Sequence, residues 1–350
     1  MKIVLLLFVW CNILHAKDLS YFTIHAGSGD DFTKVHFIVS DSSGRKTGFK
    51  SFYYGEGGYR DVNAFVEIPH SNYFVESIGS LDPSVVSNEP ESAVFGMESP
   101  IVKDTYTIQF IGFDNVKYSA EMYLKDINGK PGESIIYEAY ITSGTTQQYS
   151  IYLDPTPGAP PPVLTKLVTF QTLRDDIDVA YKLNQIGDDK FIRSLVKMVD
   201  IAEKLSQRCE KREYKFKKDP KIKSKCYGPV VAILRMMMKR LEVINKLCDN
   251  KTECKVKCKI KTECDEDEAF KGFENKYGRD NDFKEFFEEW DKDEYQIHKK
   301  TCKKYITDEA LEIITTDINW LIKSLGEEIW NIYQSEHNPY ISEKYKSFFK

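Results

Sequence analysis

Asp154-Pro155-Thr156-Pro157-Gly158-Ala159-Pro160-Pro161-Pro162 decides how the rest of the chain is read. Five prolines in nine residues remove backbone donors and fix φ, so neither a helix nor a central strand continues through them. A stiff, extended spacer is expected over residues 154–162. Chemistry changes across it. Residues 17–155 hold 10 Lys/Arg against 19 Asp/Glu, a net charge of −9, with no cysteine. Residues 156–350 hold 38 against 35, a net of +3, with seven cysteines.

Before the spacer, periodicity is that of strands. Tyr21-Phe22-Thr23-Ile24-His25 and Lys34-Val35-His36-Phe37-Ile38-Val39 are short β-branched and aromatic runs around a polar Gly27-Ser28-Gly29-Asp30-Asp31 turn. Further runs are Phe49-Lys50-Ser51-Phe52-Tyr53-Tyr54, then 63–68, 105–112 and 116–124, and finally 135–141 and 149–153. Asn128-Gly129 supplies the positive φ angles of a tight hairpin turn. About eight strands with regular turns predict an antiparallel β-sandwich over residues 17–153.

After the spacer, periodicity is helical. Leu164, Leu167, Val168, Leu173, Ile177 and Ala180 keep three- and four-residue steps up to Gly187. Asp188 or Asp189 caps a second helix carrying Phe191, Ile192, Leu195, Val199, Ala202 and Leu205. Gly228-Pro229 opens a third, with Val230, Ile233, Leu234, Met237, Leu241, Ile244 and Cys248 on its buried face. Leu311, Ile314, Ile318, Leu321, Leu325 and Ile332 form a narrow seam on the last. The expected fold class is therefore two-domain α+β, the sandwich being followed by a disulfide-linked α-helical bundle of five or six helices over residues 163–350.

With 41% hydrophobic and 29% charged residues and a net charge of −5, the 350-residue chain is too apolar for a disordered tail and too polar for a membrane-spanning protein. Its one apolar stretch, Ile3-Val4-Leu5-Leu6-Leu7-Phe8-Val9-Trp10, follows Met1-Lys2 and precedes Ala16, the pattern of a secretory signal peptide over residues 1–16. A secreted, extracellular protein without a transmembrane segment is expected. Removing the leader removes Cys11 and leaves Cys209, Cys226, Cys248, Cys254, Cys258, Cys264 and Cys302, which an oxidising compartment pairs as disulfides, with one left over. Connectivity is open, but Cys209 with Cys226 would close the hairpin between the second and third helices. Zinc is disfavoured by export and by the cysteine spacing, so no metal and no cofactor are expected.

Charge in the second half is polarised. Residues 208–225 carry nine basic side chains against three acidic ones, lysines continue to Lys261, and acids dominate from Glu263 to Glu294. Such a basic loop suits an anionic surface, although charge runs are commonly just solvated; nucleic acid is not an expected partner. Phe283, Phe286, Phe287 and Trp290 make a helical aromatic stripe that packs a core or, if exposed, anchors a partner. Met236-Met237-Met238 is ambiguous in the same way. Asn250-Lys251-Thr252 is a sequon, an acceptor for glycosylation where its loop is exposed and the source cell glycosylates.

No catalytic arrangement is legible. His25, His36, His70, His298 and His337 lack metal-ligand spacing, and no nucleophile elbow, His-Glu-x-x-His or phosphate loop occurs. The expected function is thus a non-enzymatic secreted binding protein acting through protein–protein contact with an extracellular partner. Its wealth of lysine, isoleucine, asparagine and tyrosine fits an AT-rich genome, as in a parasite or arthropod effector. Two alternatives stand beside it: a carrier enclosing a small apolar ligand near Met237, Phe286 and Trp290, and calcium-dependent membrane attachment through Asp30 and Asp31 with Asp41 or Asp114.

Overall fold

The structure, a computed structural model, describes residues 19–30, 33–54, 60–77, 91–126, 134–156, 159, 162–211, 220–247, 305–326 and 329–330. The expected leader, residues 1–16, lies outside them. Two compact units divide between Lys166 and Leu167.

The first unit is a two-sheet β domain of eleven described strands: β1 (Leu19–Gly27), β2 (Val35–Ser40), β3 (Lys46–Tyr54), β4 (Arg60–Val66), β5 (Ser71–Ser77), β6 (Glu91–Glu98), β7 (Asp104–Gly112), β8 (Val116–Asp126), β9 (Ile135–Ile141), β10 (Thr146–Leu153) and β11 (Leu164–Leu167). One sheet runs β5-β6-β1-β8-β9 and the other β11-β10-β7-β2-β3-β4. Alternation puts Tyr106, Ile108 and Phe110 of β7 and Gln147, Tyr149, Ile151 and Leu153 of β10 inside. Rings span the two sheets: Phe110 meets Tyr118 at 5.1 Å, Tyr137 meets Tyr149 at 4.9 Å and Phe37 meets Tyr73 at 5.4 Å. Such aromatic pairs add stability beyond their buried area.

Three strands lay outside the sequence reading. β6 carries Ser92, Gly96 and two glutamates, a poor strand former by composition, yet it pairs with β1 on one side and β5 on the other. A Cβ at Gly96 would stand 2.7 Å from Asn72 Oδ1, the end of a side chain on the neighbouring β5. Tertiary pairing overrides propensity here.

The third, β11, corrects the helical reading of Leu164 and Leu167. The prolines join β10 to β11 inside the β unit, and Leu164 and Leu167 belong to a strand with alternating burial rather than to a first helix. Their three-residue spacing mimics a helical step, but the open edge of β10 supplies backbone partners that a chain leaving the proline run can take up. Asp154 ties the start of this connection down, with Lys103 Nζ at 2.6 Å and the Thr156 N–H at 3.0 Å. The Lys103 ammonium, with Thr156, holds the Asp154 carboxyl at about 2. Because that value is depressed, the contact supports the fold above the ordinary carboxylate range and is lost as pH falls from about 4 toward 2. NMR titration of Asp154 should show this low midpoint, and Lys103→Met should return it toward about 4; a wild-type midpoint near 4 refutes the contact.

The second unit is a four-helix region in the described residues: α1 (Phe170–Lys182), α2 (Asp189–Glu210), α3 (Pro220–Leu247) and α4 (Asp308–Ser324). A Thr169/Thr172 capping box starts α1, and Asp188 caps α2 by accepting from the N–H groups of Lys190 and Phe191. Arg174 of α1 binds Asp200 at 2.8 Å and also Glu203, both on α2. α3 corrects a second expectation. It begins at Pro220, where a missing donor costs nothing, and Pro229 lies in its interior. Pro229 removes the N–H that would meet the Lys225 carbonyl, so the turn before it needs outside support. A Cys209–Cys226 disulfide provides that support, with Cα atoms 5.7 Å apart.

α4 corrects a third. The helix stops at Ser324 before Gly326, whose φ is 134°, while Ile332 lies outside the described residues. It is buried on all sides, including Asp317 and Asn319, as in a helix held inside a core. An isolated bridge between Ile186 and Ile306 and the hydrogen bonds of Asn245 to Ile306 O and Asp308 stitch its start to the α1–α2 loop and to α3. Among the described residues no helix is long and apolar enough to cross a membrane.

Candidate interaction surface

Among the described residues, a group of aromatic side chains gathers around His36, which is 1% exposed. Its ring stacks on Phe49 at 4.5 Å and meets Phe52 at 5.1 Å and Phe113 at 5.5 Å. Phe49, Phe52 and Phe113 also touch one another at 4.8–5.1 Å. His36 Nδ1 lies 2.8 Å from the hydroxyl of Tyr73, whose burial pushes its phenol well above the ordinary value.

A bulge makes this convergence. Phe49 pairs with Ala64 and Ser51 with Asn63, so Lys50 is the extra residue in β3. Phe52 then faces Val62, two positions from Ala64, which places Phe49 and Phe52 on one face although three positions separate them. Just before the bulge, Gly48 lets β3 approach β2: a Cβ there would lie 2.3 Å from the Phe37 carbonyl oxygen.

β2 and β3 pair from Ser40–Lys46 to Ile38–Gly48, while β3 and β4 stay paired out to Tyr54 and Arg60. This β3–β4 hairpin carries Tyr53 at 41% exposure and Tyr54 at 75%, and Phe113 beside Phe52 is 39% exposed. Tyr53 donates to Asp61 at 2.6 Å; the bond lowers the Asp61 carboxyl and raises the Tyr53 phenol. Next to Phe113, Lys34 bridges Asp30 and Asp114, each at 3.4 Å. The result is an apolar ring cluster leading onto two exposed tyrosines, with charge at its border. Such a surface suits recognition, since aromatic side chains dominate binding hot spots.

Few of the expected site residues are among those described. Cys209 and Cys226 are joined, whereas Cys248, Cys254, Cys258, Cys264 and Cys302, Asn250, and Phe283, Phe286, Phe287 and Trp290 lie outside the described residues. Met237 and Met238 are fully buried. Of the acids considered for calcium, Asp30 and Asp114 share Lys34 before β2, while Asp41 follows β2 and binds Arg45 at 2.6 Å. The six residues of β2 span roughly 20 Å at strand rise, so Asp41 lies far from Asp30 and Asp114, which come together at Lys34. Asp31 is outside the described residues. Among the described residues no group of three or more His, Cys, Asp or Glu side chains is placed to hold a metal ion.

Sequence reasoning had His36 only as one of several scattered histidines. The density of rings in Phe49-Lys50-Ser51-Phe52-Tyr53-Tyr54 was the available signal, but strict alternation assigns Phe49 and Phe52 to opposite faces. Comparison with protein-family models, with curated proteins and with solved structures finds no match.

Proposed function

We propose that this is a secreted, non-enzymatic binding protein that acts by contact with another extracellular protein. In this reading the two sheets close as a β-sandwich, the helices pack as a disulfide-linked bundle, and the β3–β4 hairpin is the contact element. The observation that supports it most is the exposure of Tyr54 and Tyr53 at the end of a hairpin whose base is anchored by the His36 ring cluster. Rigidly mounted aromatic side chains bind at low entropic cost because little freedom remains to be lost.

Pull-down from extracellular material tests the reading. Tyr54→Ala combined with Tyr53→Ala should lower capture of the partner by about tenfold or more. Thermal stability should hardly move, because such exposed positions carry about 0.5 kcal/mol or less. Undiminished capture by the double variant, or substrate turnover by the purified protein, overturns the reading.

A further inference from the structure

We infer that the outer face of the six-stranded sheet is a docking platform for an uncharged glycan of N-acetylated amino sugars, such as chitin. β7 lies between β10 and β2 and pairs with both, through eight consecutive register pairs on one side and six on the other. With Tyr106, Ile108 and Phe110 turned inward, Thr105, Thr107 and Gln109 of β7 stand on the outer face. Their partners on β10 are Tyr152, Ser150 and Gln148. Ser40 and Ile38 of β2 extend the Thr107 and Gln109 rows. Thr105, Gln148 and Tyr152 are exposed, Tyr152 at 45%, and the others are half-buried.

Residues 17–155 carry 10 basic and 19 acidic side chains, yet none stands in these rows. Charge begins at the border. Lys46 faces Ser40 from β3, and Lys103 bonds the Tyr152 hydroxyl while pairing with Asp154. An uncharged face on an acidic unit gives an anionic polymer no counter-charge and repels it at longer range. A protein partner is disfavoured for a different reason. The centre of the rows holds hydroxyls and amides, not the desolvated aromatic or arginine anchors of binding hot spots. An uncharged, hydroxyl-rich chain matches what the face offers.

The rows also carry the chemistry to read such a chain. Gln109 and Gln148 each present an acceptor and a two-hydrogen donor, and the Thr107 and Ser150 hydroxyls act in either sense. The Ile38–Gln109–Gln148 row sets an aliphatic side chain beside two amides, which suits the methyl, carbonyl and N–H of an acetamido group. Tyr152, tied by Lys103, offers a ring on which the apolar side of a sugar can lie. At strand spacing each three-strand row is about 10 Å wide, and Thr105 to Gln109 runs about 13 Å along β7, room for a short oligosaccharide. Both ladders are continuous, so little freedom remains to be lost on binding. This platform is separate from the β3–β4 hairpin and does not depend on what the hairpin contacts.

Retention of the full chain on chitin beads, with cellulose beads for comparison, decides it. Wild type should be held on chitin at least about tenfold more strongly than on cellulose, which lacks the acetamido group. High salt should leave retention intact, because no ion pair takes part. Gln109→Ala with Gln148→Ala should weaken it by about tenfold or more, through the loss of two hydrogen-bonding side chains. Tyr152→Ala, at an exposed position, should weaken it as well and serves as the readout if the glutamine variant melts below wild type. Tyr53→Ala with Tyr54→Ala should change nothing, which separates this face from the hairpin. Absence of retention on chitin, equal retention on cellulose, loss in high salt, or retention untouched by the platform variants overturns the inference.

Discussion

Gly48→Ala should destabilise the β unit by about 3 kcal/mol or more. Gly48 has a φ of 145°, in the range that side-chain-bearing residues rarely adopt. The added methyl would also meet backbone: the Phe37 carbonyl oxygen at 2.3 Å and Ile38 Cα at 2.6 Å. Neither can retreat. β2 is hydrogen-bonded on its far side to β7 through Val35–Gly112 and five further pairs, so moving it would break a second ladder. Strain and overpacking each contribute about 1–3 kcal/mol and act together here. Chemical denaturation followed by tyrosine fluorescence measures the loss. A change under about 0.5 kcal/mol, the range of ordinary surface substitutions, shows that β2 and β3 are not in this register.

Removal of the Cys209–Cys226 bridge, by Cys209→Ser with Cys226→Ser, should cost the helical unit about 3 kcal/mol. The bridge closes a loop with a sequence separation of 17, for which unfolded-state entropy predicts a loss of that size. Its placement adds a local effect. Cys226 stands three residues before Pro229, in the turn whose hydrogen bonding the proline interrupts. Without the bridge, the part of α3 before Pro229 loses its tie to α2, and about two turns of helix should fray. Far-UV circular dichroism should record reduced helicity, and the melting transition of the helical unit should fall while that of the β unit holds. Equal melting of both units, or no change in either, contradicts this account.

How far the fold could be read from residues follows from the range of each interaction. Leu173, Ile177 and Ala180 on α1, and Phe191, Leu195, Val199 and Ala202 on α2, are buried as their spacing predicts. Asp188 caps α2, and Cys209 meets Cys226 across the connection expected between helices. In each case the deciding atoms lie within a few turns or one hairpin of one another. Pro229 misled because proline in a first turn and proline in a kinked interior look alike in sequence. The difference rests on Pro220 and on a disulfide to another helix. β6 and β11 misled because their composition and spacing are weak, and strand pairing comes from distant partners.

The interaction surface was the least legible part. His36, Phe49, Phe52, Tyr73 and Phe113 come from three strands and a turn, and the bulge at Lys50 reverses the face that alternation assigns to Phe49 relative to Phe52. A single extra residue in a ladder leaves no mark in hydrophobic periodicity, because only the partner strand reveals that it is extra.

By itself the sequence determined that strands precede helices, where α2 begins and which faces α1 and α2 bury, since periodicity and capping act between near neighbours. Tertiary structure alone decided that the prolines lie within the β unit, that β11 completes a sheet, that α4 is buried all round and that His36 gathers an aromatic cluster. Those outcomes depend on which open strand edge or helix face is within reach, and chain order does not specify that distance.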